Sequence, residues 1–512
     1  MFEAVEVGRT VAKADFAARE PALRAALLDH QRLAQERQRA VIVIVSGVEG
    51  AGKGEVVDRL NEWLDNRGIR THAFWDPSDE AAERPPFWRF WQALPPRGSI
   101  AVMFGSWYTQ PIIDYVMHDG GKAQFDRELA RINDFEQTLS DDGAIIVKFW
   151  FHLSKKRQRK RLERDDASAS FKHAPVAARF AKHYDAFRDA SERAIRTTDT
   201  GVAPWHLIDA ANGRYRDLAT GDALLRRLTE HLPGTAPPAG GAAPAAAGPA
   251  PPATDPAPPA AAPAPPDVHA ATVDEQTVLA TVDLQSTLAP EAYARRLPAA
   301  QDRLHELSWQ ARDARLSTVI VFEGWDAAGK GSTIRRVTQS IDARLYRVIS
   351  TAAPTDEERA QHYLWRFWRH IPRRGNITVY DRSWYGRVLV ERIERFATPQ
   401  AWGRAYQEIN DFEEQLTDHG VLLLKFWLHI SADEQLARFR EREQTARKQY
   451  KIGLEDWRNR ARWGDYLLAV NDMVAHTSTS IAPWTLVPAN DKRLARVQVV
   501  EHICRELKAR LR

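Results

Sequence analysis

The sequence contains the same set of motifs twice, and this repetition limits the fold more than any other feature. GVEGAGKG, which begins at Gly47, matches GWDAAGKG, which begins at Gly324, so the copies are offset by 277 residues (324 minus 47). The same offset aligns, without a gap, FWRFWQALPPRGSI with LWRFWRHIPRRGNI, SWY with SWY, NDFE with NDFE, and KFWFHLS with KFWLHIS. At APW the offset becomes 279, because the second copy carries two additional residues. Self-similarity in a fixed register predicts a tandem duplication, so both halves should adopt one fold.

A tract rich in Pro, Ala and Gly separates the two copies. Residues 232–267 contain no Lys, Arg or aromatic residue, which predicts a disordered, partly polyproline II linker. The chain has 512 residues, and single cores rarely grow beyond about 250–300 residues. We therefore predict a first domain at residues 1–231, a linker at 232–267 and a second domain at 268–512.

The overall composition excludes several classes of function. The 72 Lys and Arg residues nearly balance the 68 Asp and Glu residues, and a net charge of +4 does not indicate binding to nucleic acid or to a membrane. The single cysteine, Cys504, excludes an intramolecular disulfide framework and a Cys-rich metal site. No signal-peptide pattern is present, and apolar runs such as VLLLKFWLHI are shorter than the roughly 20 residues of a membrane helix. We expect a cytoplasmic protein; whether it forms a homo-oligomer through its domain faces stays open.

Each copy follows the pattern of a strand, a glycine loop and a helix. The strands VIVIV and TVIVF enter the glycine loops, and a helical pattern follows each loop. Later apolar runs are continuous rather than alternating, as in strands that are buried on both faces of a parallel sheet. The fold class is therefore α/β, with two similar layered domains.

The loop of the second copy has the composition of a phosphate-binding loop. It matches GxxxxGK[ST] if one glycine is allowed between the lysine and the serine. Small residues let backbone N–H groups surround phosphate oxygens, the following helix presents its positive N-terminus, and the lysine adds a cation. The predicted phosphate-binding residues are Gly324, Ala327, Ala328, Gly329, Lys330, Gly331 and Ser332.

Two acidic residues of the second copy point to metal-assisted phosphoryl transfer. Asp326 lies inside the loop, where it would repel a phosphate unless a metal or a proton lay between them. Asp381 follows the strand ITVY, where a Walker-B carboxylate holds Mg2+; the alternative is a helix N-cap. We predict that Asp326, Lys330, Asp381 and Arg382 are catalytic, with Asp326 and Asp381 as the metal ligands.

The motifs GWDAAGKGS, LWRFWRHIPRRGNITVYDRSWYGRVLVER, FWLHIS, APW and ANDK closely resemble the polyphosphate kinase type 2 family, in its fused two-domain form. The resemblance implies thymidylate-kinase-like P-loop domains, each a parallel sheet flanked by helices, with a helical lid. It also implies transfer of a terminal phosphoryl group from inorganic polyphosphate to AMP, giving ADP, with Mg2+ or alternatively Mn2+. The residues that would contact the nucleotide are Arg366, Arg373, Arg374 and Tyr385, although PRRG could equally be a structural turn.

A basic stretch between residues 438 and 463 resembles the lid of that family. A long polyanion needs several cations along its path, whereas the alternative is a solvated helical face with local Glu/Arg pairs. The predicted polyphosphate-binding residues of the lid are Arg438, Arg442, Lys451 and Arg460.

The first copy has lost the residues that carry the chemistry. At the 277-residue offset, Asp326 becomes Glu49, Ser332 becomes Glu55, Asp381 becomes Phe104 and Arg382 becomes Gly105. Because Phe104 cannot hold a metal, we predict that the first domain is inactive and structural. It would cover the second domain in a pseudo-dimeric arrangement or support higher assembly, with WRFW (88–91) retained for packing. Lys53 is retained, so anion binding by the first loop stays open.

Other functions remain compatible with the sequence. An ATP-dependent nucleotide kinase would use the same loop and lid, and a polyphosphate-dependent kinase could act on nucleoside diphosphates instead of AMP. A non-catalytic phosphate sensor and an active first domain are further alternatives. The sequence does not determine acceptor breadth, preferred chain length or the net direction in the cell.

Overall fold

The computed structural model describes residues 1–74, 77–118, 120–166, 182–233, 277–445 and 452–512. Most of the predicted linker and the predicted lid residue Lys451 lie outside these ranges, as do residues 167–181 of the first copy. The proposed linker boundaries and its disorder therefore stay predictions.

Each half of the chain forms a five-stranded parallel sheet, and both sheets have the same strand order. In the first domain the order is β2-β3-β1-β4-β5, and in the second it is β7-β8-β6-β9-β10. The strands of the first sheet are β1 Val41–Gly47, β2 Ile69–Ala73, β3 Ile100–Phe104, β4 Ile145–His152 and β5 Trp205–Asp209. Those of the second are β6 Thr318–Gly324, β7 Tyr346–Ser350, β8 Ile377–Asp381, β9 Leu422–His429 and β10 Trp484–Pro488. The predicted α/β class and the duplication are both confirmed.

Helices cover both faces of each sheet. The first domain contains α1 Lys13–Glu36, α2 Lys53–Trp63, α3 Asp79–Ala82, α4 Trp88–Ala93, α5 Thr109–Met117, α6 Lys122–Asp141, α7 Lys155–Asp166, α8 Tyr184–Thr198 and α9 Gly213–His231. The second contains α10 Pro290–Asp313, α11 Lys330–Thr338, α12 Asp356–Arg359, α13 Trp365–Trp368, α14 Val390–Ile393, α15 Pro399–Asp418, α16 Ala432–Gln444, α17 Leu454–Ala461, α18 Trp463–Thr477 and α19 Lys492–Arg510. Among the described residues, no helix combines the length and the apolar character needed to cross a membrane.

The strand order places the glycine loop at the centre of each sheet. In the second domain β6 pairs with β8 on one side and β9 on the other, and the register sets Phe322 opposite Asp381. The loop after β6 and the acidic end of β8 therefore meet at the same carboxyl edge. Ligands of open parallel sheets bind at this edge, where the direction of the strand order changes.

A buried ion pair connects the sheet of the second domain to its covering helices. Lys425 Nζ on β9 donates to Glu413 Oε2 on α15 at 2.7 Å, and neither side chain is more than 1% exposed. Burial raises the pKa of Glu413 and lowers that of Lys425, while their mutual attraction opposes both shifts. Lys425 also donates to Tyr385 Oη and to the carbonyl of Thr477, and Glu413 accepts from Trp384 Nε1 and Tyr385 Oη.

The first domain repeats this network residue for residue. Its members are Lys148, Glu136, Trp107, Tyr108 and the carbonyl of Thr198, and Lys148 Nζ lies 2.6 Å from Glu136 Oε2. Because both copies retain it, the network belongs to the fold and not to the chemistry of one domain.

The two domains pack against each other through the motif WRFW. Trp91 of the first domain stacks on Trp368 of the second, with ring centroids 5.8 Å apart and an interplanar angle of 17°. The two residues are counterparts at the 277-residue offset, so an approximate two-fold axis passes between them. This arrangement is the predicted pseudo-dimer.

Polar contacts around the stacked rings follow the same approximate symmetry. Arg84 Nε donates to the carbonyl of Ile371 at 2.9 Å, and Gln361 Nε2 donates to the carbonyl of Leu94 at 3.3 Å. Each of these hydrogen bonds is the counterpart of the other at the same offset, which is the property of an isologous interface.

Removing one partner of the buried ion pair should destabilise the second domain strongly. We expect Lys425→Met to lower the free energy of unfolding by about 3–5 kcal/mol, because Glu413 is left buried without a counter-charge. Denaturant unfolding measures this loss. The double variant Lys425→Met/Glu413→Leu should recover at least half of the loss; equal loss in the single and double variants would contradict the explanation. Lys148→Met provides the matched change in the first domain.

Candidate functional site

Left-handed backbone turns shape the loop between β6 and α11. Ala327 and Gly329 have left-handed backbones, with φ of 63° and 110°, and this alternation turns successive N–H groups toward one side. Gly324 must be glycine, because a Cβ at this position would lie 2.6 Å from the carbonyl oxygen of Leu428 on β9. Lys330 Nζ reaches back to the carbonyl of Gly324 at 2.6 Å. The seven predicted phosphate-binding residues thus form one loop at the start of α11.

Arg438 has a different role from the predicted one. Its side chain is 4% exposed and lies behind the loop, so it does not present its charge to a ligand. The guanidinium instead fixes the loop to the segment that follows β10, by donating to the carbonyls of Ala327, Ala328, Ala489 and Asn490. The sequence gives the charge of a basic residue in a helix, but it does not show which side of the helix packs against the rest of the protein.

Asp326 is held at the mouth of the loop by two donors. Arg382 Nη2 donates to Asp326 Oδ1 and Asn459 Nδ2 donates to Asp326 Oδ2, both at 3.0 Å. Burial by itself would raise the pKa of Asp326, but the charges of Lys330 and Arg382 outweigh it and lower this pKa below its usual value. Asp326 is therefore a carboxylate at neutral pH, with a fixed orientation.

Asp381 and Arg382 lie at the adjacent strand end, as predicted. The N-cap alternative for Asp381 is wrong, because Ser383 caps the following 3-10 turn at Trp384–Arg387. Burial lowers the pKa of Lys330, and the carboxylates of Asp326, Asp381 and Glu323 oppose this shift. The lysine and the acids thus share one local electrostatic environment.

Glu323, which the motifs do not predict as a site residue, supports this strand end. Glu323 Oε1 accepts from the backbone N–H of Ser383 at 2.8 Å and from its hydroxyl at 2.9 Å. The side chain is buried, and burial raises its pKa. Its counterpart in the first copy is Ser46, so the comparison of the two copies could have identified it.

Two residues of the site are strained in the second copy and relaxed in the first. Ala327 and Arg382 adopt left-handed backbones with φ of 63° and 64°, which cost a non-glycine residue about 1–2 kcal/mol. Their counterparts are Gly50 and Gly105, each with φ of 75°. The backbone shape is therefore common to both copies, but only the second retains side chains at these positions.

The lid helices α17 and α18 contact the glycine loop of the second domain. Trp463 at the start of α18 stacks on Trp325 of the loop, with ring centroids 3.7 Å apart and an interplanar angle of 9°. Asn459 on α17 supplies the hydrogen bond to Asp326 described above. The motifs do not predict Trp325, Asn459 and Trp463 as site residues. Their counterparts in the first copy are Val48, Phe180 and Tyr184.

Two further predicted lid cations, Arg460 and Arg442, differ in their surroundings. Arg460 Nη1 donates to the carbonyl of Ala432 at 2.6 Å and to Gln435 Oε1 at 3.2 Å, so it fastens α17 to α16. Arg442 is half-buried on α16, and its contact with polyphosphate stays a prediction.

The predicted nucleotide contacts are corrected at three of four positions. Tyr385 is fully buried in the ion-pair network and is not accessible to a ligand. Arg373 and Arg374 precede β8 and lie at the amino edge of the sheet, opposite the glycine loop. Arg373 forms an ion pair across the domain interface, with its Nε 2.6 Å from Glu83 Oε2. Arg366 remains a prediction.

A magnesium ion fits the oxygen donors of the site. Among the described residues, the Asp381 carboxylate has no hydrogen-bond or ion-pair partner. It interacts electrostatically with Lys330. The described part of the chain contains no group of three or more His, Cys, Asp or Glu side chains that could hold a metal alone. Mg2+ typically uses one or two carboxylates together with substrate phosphates, so the absence of a larger cluster is compatible with a magnesium site. Metal binding by Asp381 and Asp326 stays a prediction.

The glycine loop of the first domain is neutralised by its own residues. Lys53 Nζ donates to Glu49 Oε1 at 2.7 Å, where the second copy has Asp326. Glu55 accepts from Arg216 at 2.7 Å and from Arg161 at 2.8 Å. Arg216 lies directly against the loop, because a Cβ on Gly52 would fall 1.8 Å from its Nη1.

The sheet order, the glycine loop with its lysine and the acidic strand end define a P-loop kinase-like domain, present twice. The family model Polyphosphate kinase 2 matches residues 10–234 and 287–512, and the chain belongs to this family. The family predicted from the motifs is thus confirmed.

Relatives match over the full length of the chain. A protein from Pseudomonas aeruginosa named Polyphosphate:AMP phosphotransferase is 47% identical, covering 98% of each chain. One of the same name from Acinetobacter johnsonii is 37% identical, covering 93% of this chain and 92% of that one. A crystal structure from Pseudomonas aeruginosa PA01 described as a polyphosphate kinase 2 is 45% identical, with a TM-score of 0.86, covering 100% of this chain and 99% of that one.

His429, behind the loop, should make the second domain sensitive to acid. Burial lowers its pKa from 6.5 to about 4, and its Nδ1 accepts N–H groups from Trp325 and Trp427. The unfolded chain takes up this proton near pH 6.5, but the folded protein does so only near pH 4. Stability is therefore lost as the pH falls through this window.

Replacing His429 should remove this loss. Between pH 7.5 and pH 5 we expect the wild type to lose about 2 kcal/mol more than His429→Gln, as measured by urea unfolding at both pH values. The exposed His118→Gln provides the control, and equal pH dependence of wild type and His429→Gln would contradict the assignment.

Proposed function

We propose that the second domain transfers a terminal phosphoryl group from inorganic polyphosphate to AMP, giving ADP, and that the first domain is structural. The observation that carries this proposal is the set Asp326, Lys330, Asp381 and Arg382 at one sheet edge of the second domain. The full-length relatives named Polyphosphate:AMP phosphotransferase supply the donor and the acceptor. The cytoplasmic location stays a prediction.

The residues of the site position and neutralise phosphates, which is most of what phosphoryl transfer requires. Backbone N–H groups of the loop and Lys330 bind the end of the polyphosphate. Arg382, whose side chain is 55% exposed although it pairs with Asp326, can turn its free donors toward the transferring group. Asp326 orients the acceptor phosphate. A bound Mg2+, or alternatively Mn2+, held by Asp381 and Asp326 would supply further charge neutralisation.

The contacts of the first domain support its inactivity. The carboxylate of Glu49 already neutralises Lys53, and Phe104 and Gly105 replace the metal ligand and the arginine. An incoming phosphate would have to break the ion pair and would meet the negative charge of Glu55. Binding in this loop is therefore unfavourable even before the missing catalytic groups are considered.

Nucleoside diphosphates are the second candidate acceptor. A protein from Rhizobium meliloti named ADP-polyphosphate phosphotransferase 3 is 37% identical over 224 residues, covering 44% of this chain and 79% of that one. The name of this related protein contains ADP where the names of the full-length relatives contain AMP. Parallel assays with AMP, GMP and ADP as acceptors distinguish these candidates.

Matched lysine substitutions test which domain is active. In an assay of ADP formation from AMP, Mg2+ and long-chain polyphosphate, Lys330→Met should reduce kcat by about 100-fold or more, because the phosphate loses its cation. Lys53→Met should stay within about twofold of wild type, because Lys53 is already paired with Glu49. Asp381→Asn should reduce kcat as strongly as Lys330→Met.

Two outcomes would contradict the proposal. ADP formation with ATP but not with polyphosphate would identify an ATP-dependent kinase. Loss of activity in Lys53→Met with retention in Lys330→Met would place the reaction in the first domain.

Arg382→Gly should separate activity from stability. The substitution removes the arginine, so we expect a loss in kcat of about 100-fold or more. It also relieves the left-handed strain, so the variant should be about 1 kcal/mol more stable than Arg382→Ala, which keeps the strain. ADP formation and denaturant unfolding measure the two effects, and equal stability of the Gly and Ala variants would refute the strain argument.

A further inference from the structure

Helix α7 of the first domain carries a charge that its counterpart in the second domain lacks. Residues 155–163 contain six Lys or Arg residues and one Glu, whereas the counterpart residues 432–440 contain two Arg, one Asp and one Glu. The net charges of these segments are therefore +5 and 0. The domain that lost its catalytic residues has a strongly basic helix beside its loop.

The cations of α7 lie mainly on the outer face of the helix. Gln158 is buried and donates to the carbonyl of Glu49, and Arg161 is paired with Glu55, so these two side chains attach the helix to the flank of the loop. The exposed cations are Lys155, Lys156, Arg157, Arg159 and Lys160.

Two of these cations are unneutralised. Within the part of the chain that the structure describes, Lys156 and Lys160 have no hydrogen-bond or ion-pair partner, while Arg159, 83% exposed, has only Glu163 at 3.0 Å. Lys156 and Lys160 are four residues apart, so they share a helix face and repel each other. A bound polyanion would attract both lysines and so offset their mutual repulsion.

The loop of the first domain does not compete for such a ligand. Lys53 is paired with Glu49, and Arg216 with Glu55. An anion attracted to this side of the domain therefore meets the outer face of α7 and not the loop.

We propose that the outer face of α7, formed by Lys156, Arg159 and Lys160, binds inorganic polyphosphate. A long chain bound there stays on the enzyme while its end reacts in the second domain, which raises the local concentration of the donor. This inference rests on the proposed function. Polyphosphate is favoured over a single-stranded nucleic acid because α7 contains no aromatic residue on which bases could stack.

The test compares long and short donors in the full-length protein. For Lys156→Ala/Arg159→Ala/Lys160→Ala, KM for long-chain polyphosphate should rise about tenfold, since three ionic contacts are lost. The values of kcat and of KM for tripolyphosphate, which is too short to extend beyond the active site, should change less than twofold. The matched control is a triple variant of exposed cations on α1, Lys13→Ala/Arg24→Ala/Arg32→Ala, which removes the same charge and should leave KM for both donors unchanged.

A binding measurement keeps this inference separate from the proposed function. Fluorescently labelled long-chain polyphosphate is titrated into Lys330→Met with and without the α7 substitutions, so no turnover is needed. Weaker binding with the substitutions supports the inference even if AMP is not the acceptor. Unchanged binding and unchanged KM would overturn it, and so would single-stranded RNA that displaces polyphosphate at equal or lower concentration.

Discussion

The position of the Asp381 carboxylate depends on the buried ion pair between Lys425 and Glu413. The pair joins β9 to α15 and also holds Trp384 and Tyr385, which follow Asp381 by only a few residues. Taking two charges out of water is costly, and the cost is offset only where geometry and additional hydrogen bonds are good. The indole, phenol and carbonyl partners provide these bonds, so the segment after Asp381 has little freedom to move. The same network in the first domain holds a strand end that no longer carries an acid.

Much of the fold could be predicted from the sequence, because continuous apolar strands and a glycine loop leave few arrangements for a duplicated chain. The positions of Lys330, Asp381 and Asp326 could be predicted for the same reason, since parallel strands bring their ends to one edge. Side-chain orientation could not be predicted in this way. Arg438 faces the back of the loop, and Arg373 faces the other domain.

Residues that both copies retain differ in role from residues that only the second copy has. Tyr385 is retained as Tyr108 in the first copy, which marks it as structural, and both are buried in the same network. Glu323 and Asn459 are not retained; Glu323 accepts from the backbone N–H of Ser383, and Asn459 donates to Asp326. Ala327 and Arg382 add a physical distinction, because both keep a left-handed backbone with a side chain in the second copy, whereas the first copy has glycine at these two positions.

The stack of Trp91 on Trp368 has a consequence for how the two halves could diverge. In a homodimer every substitution appears in both subunits, so losing the acid of one subunit means losing it in both. In a fused chain the two faces of the interface are encoded separately, and their association does not depend on protein concentration. One half could therefore change its loop freely as long as it preserved the surface that its neighbour requires, and each molecule contains one half of each kind.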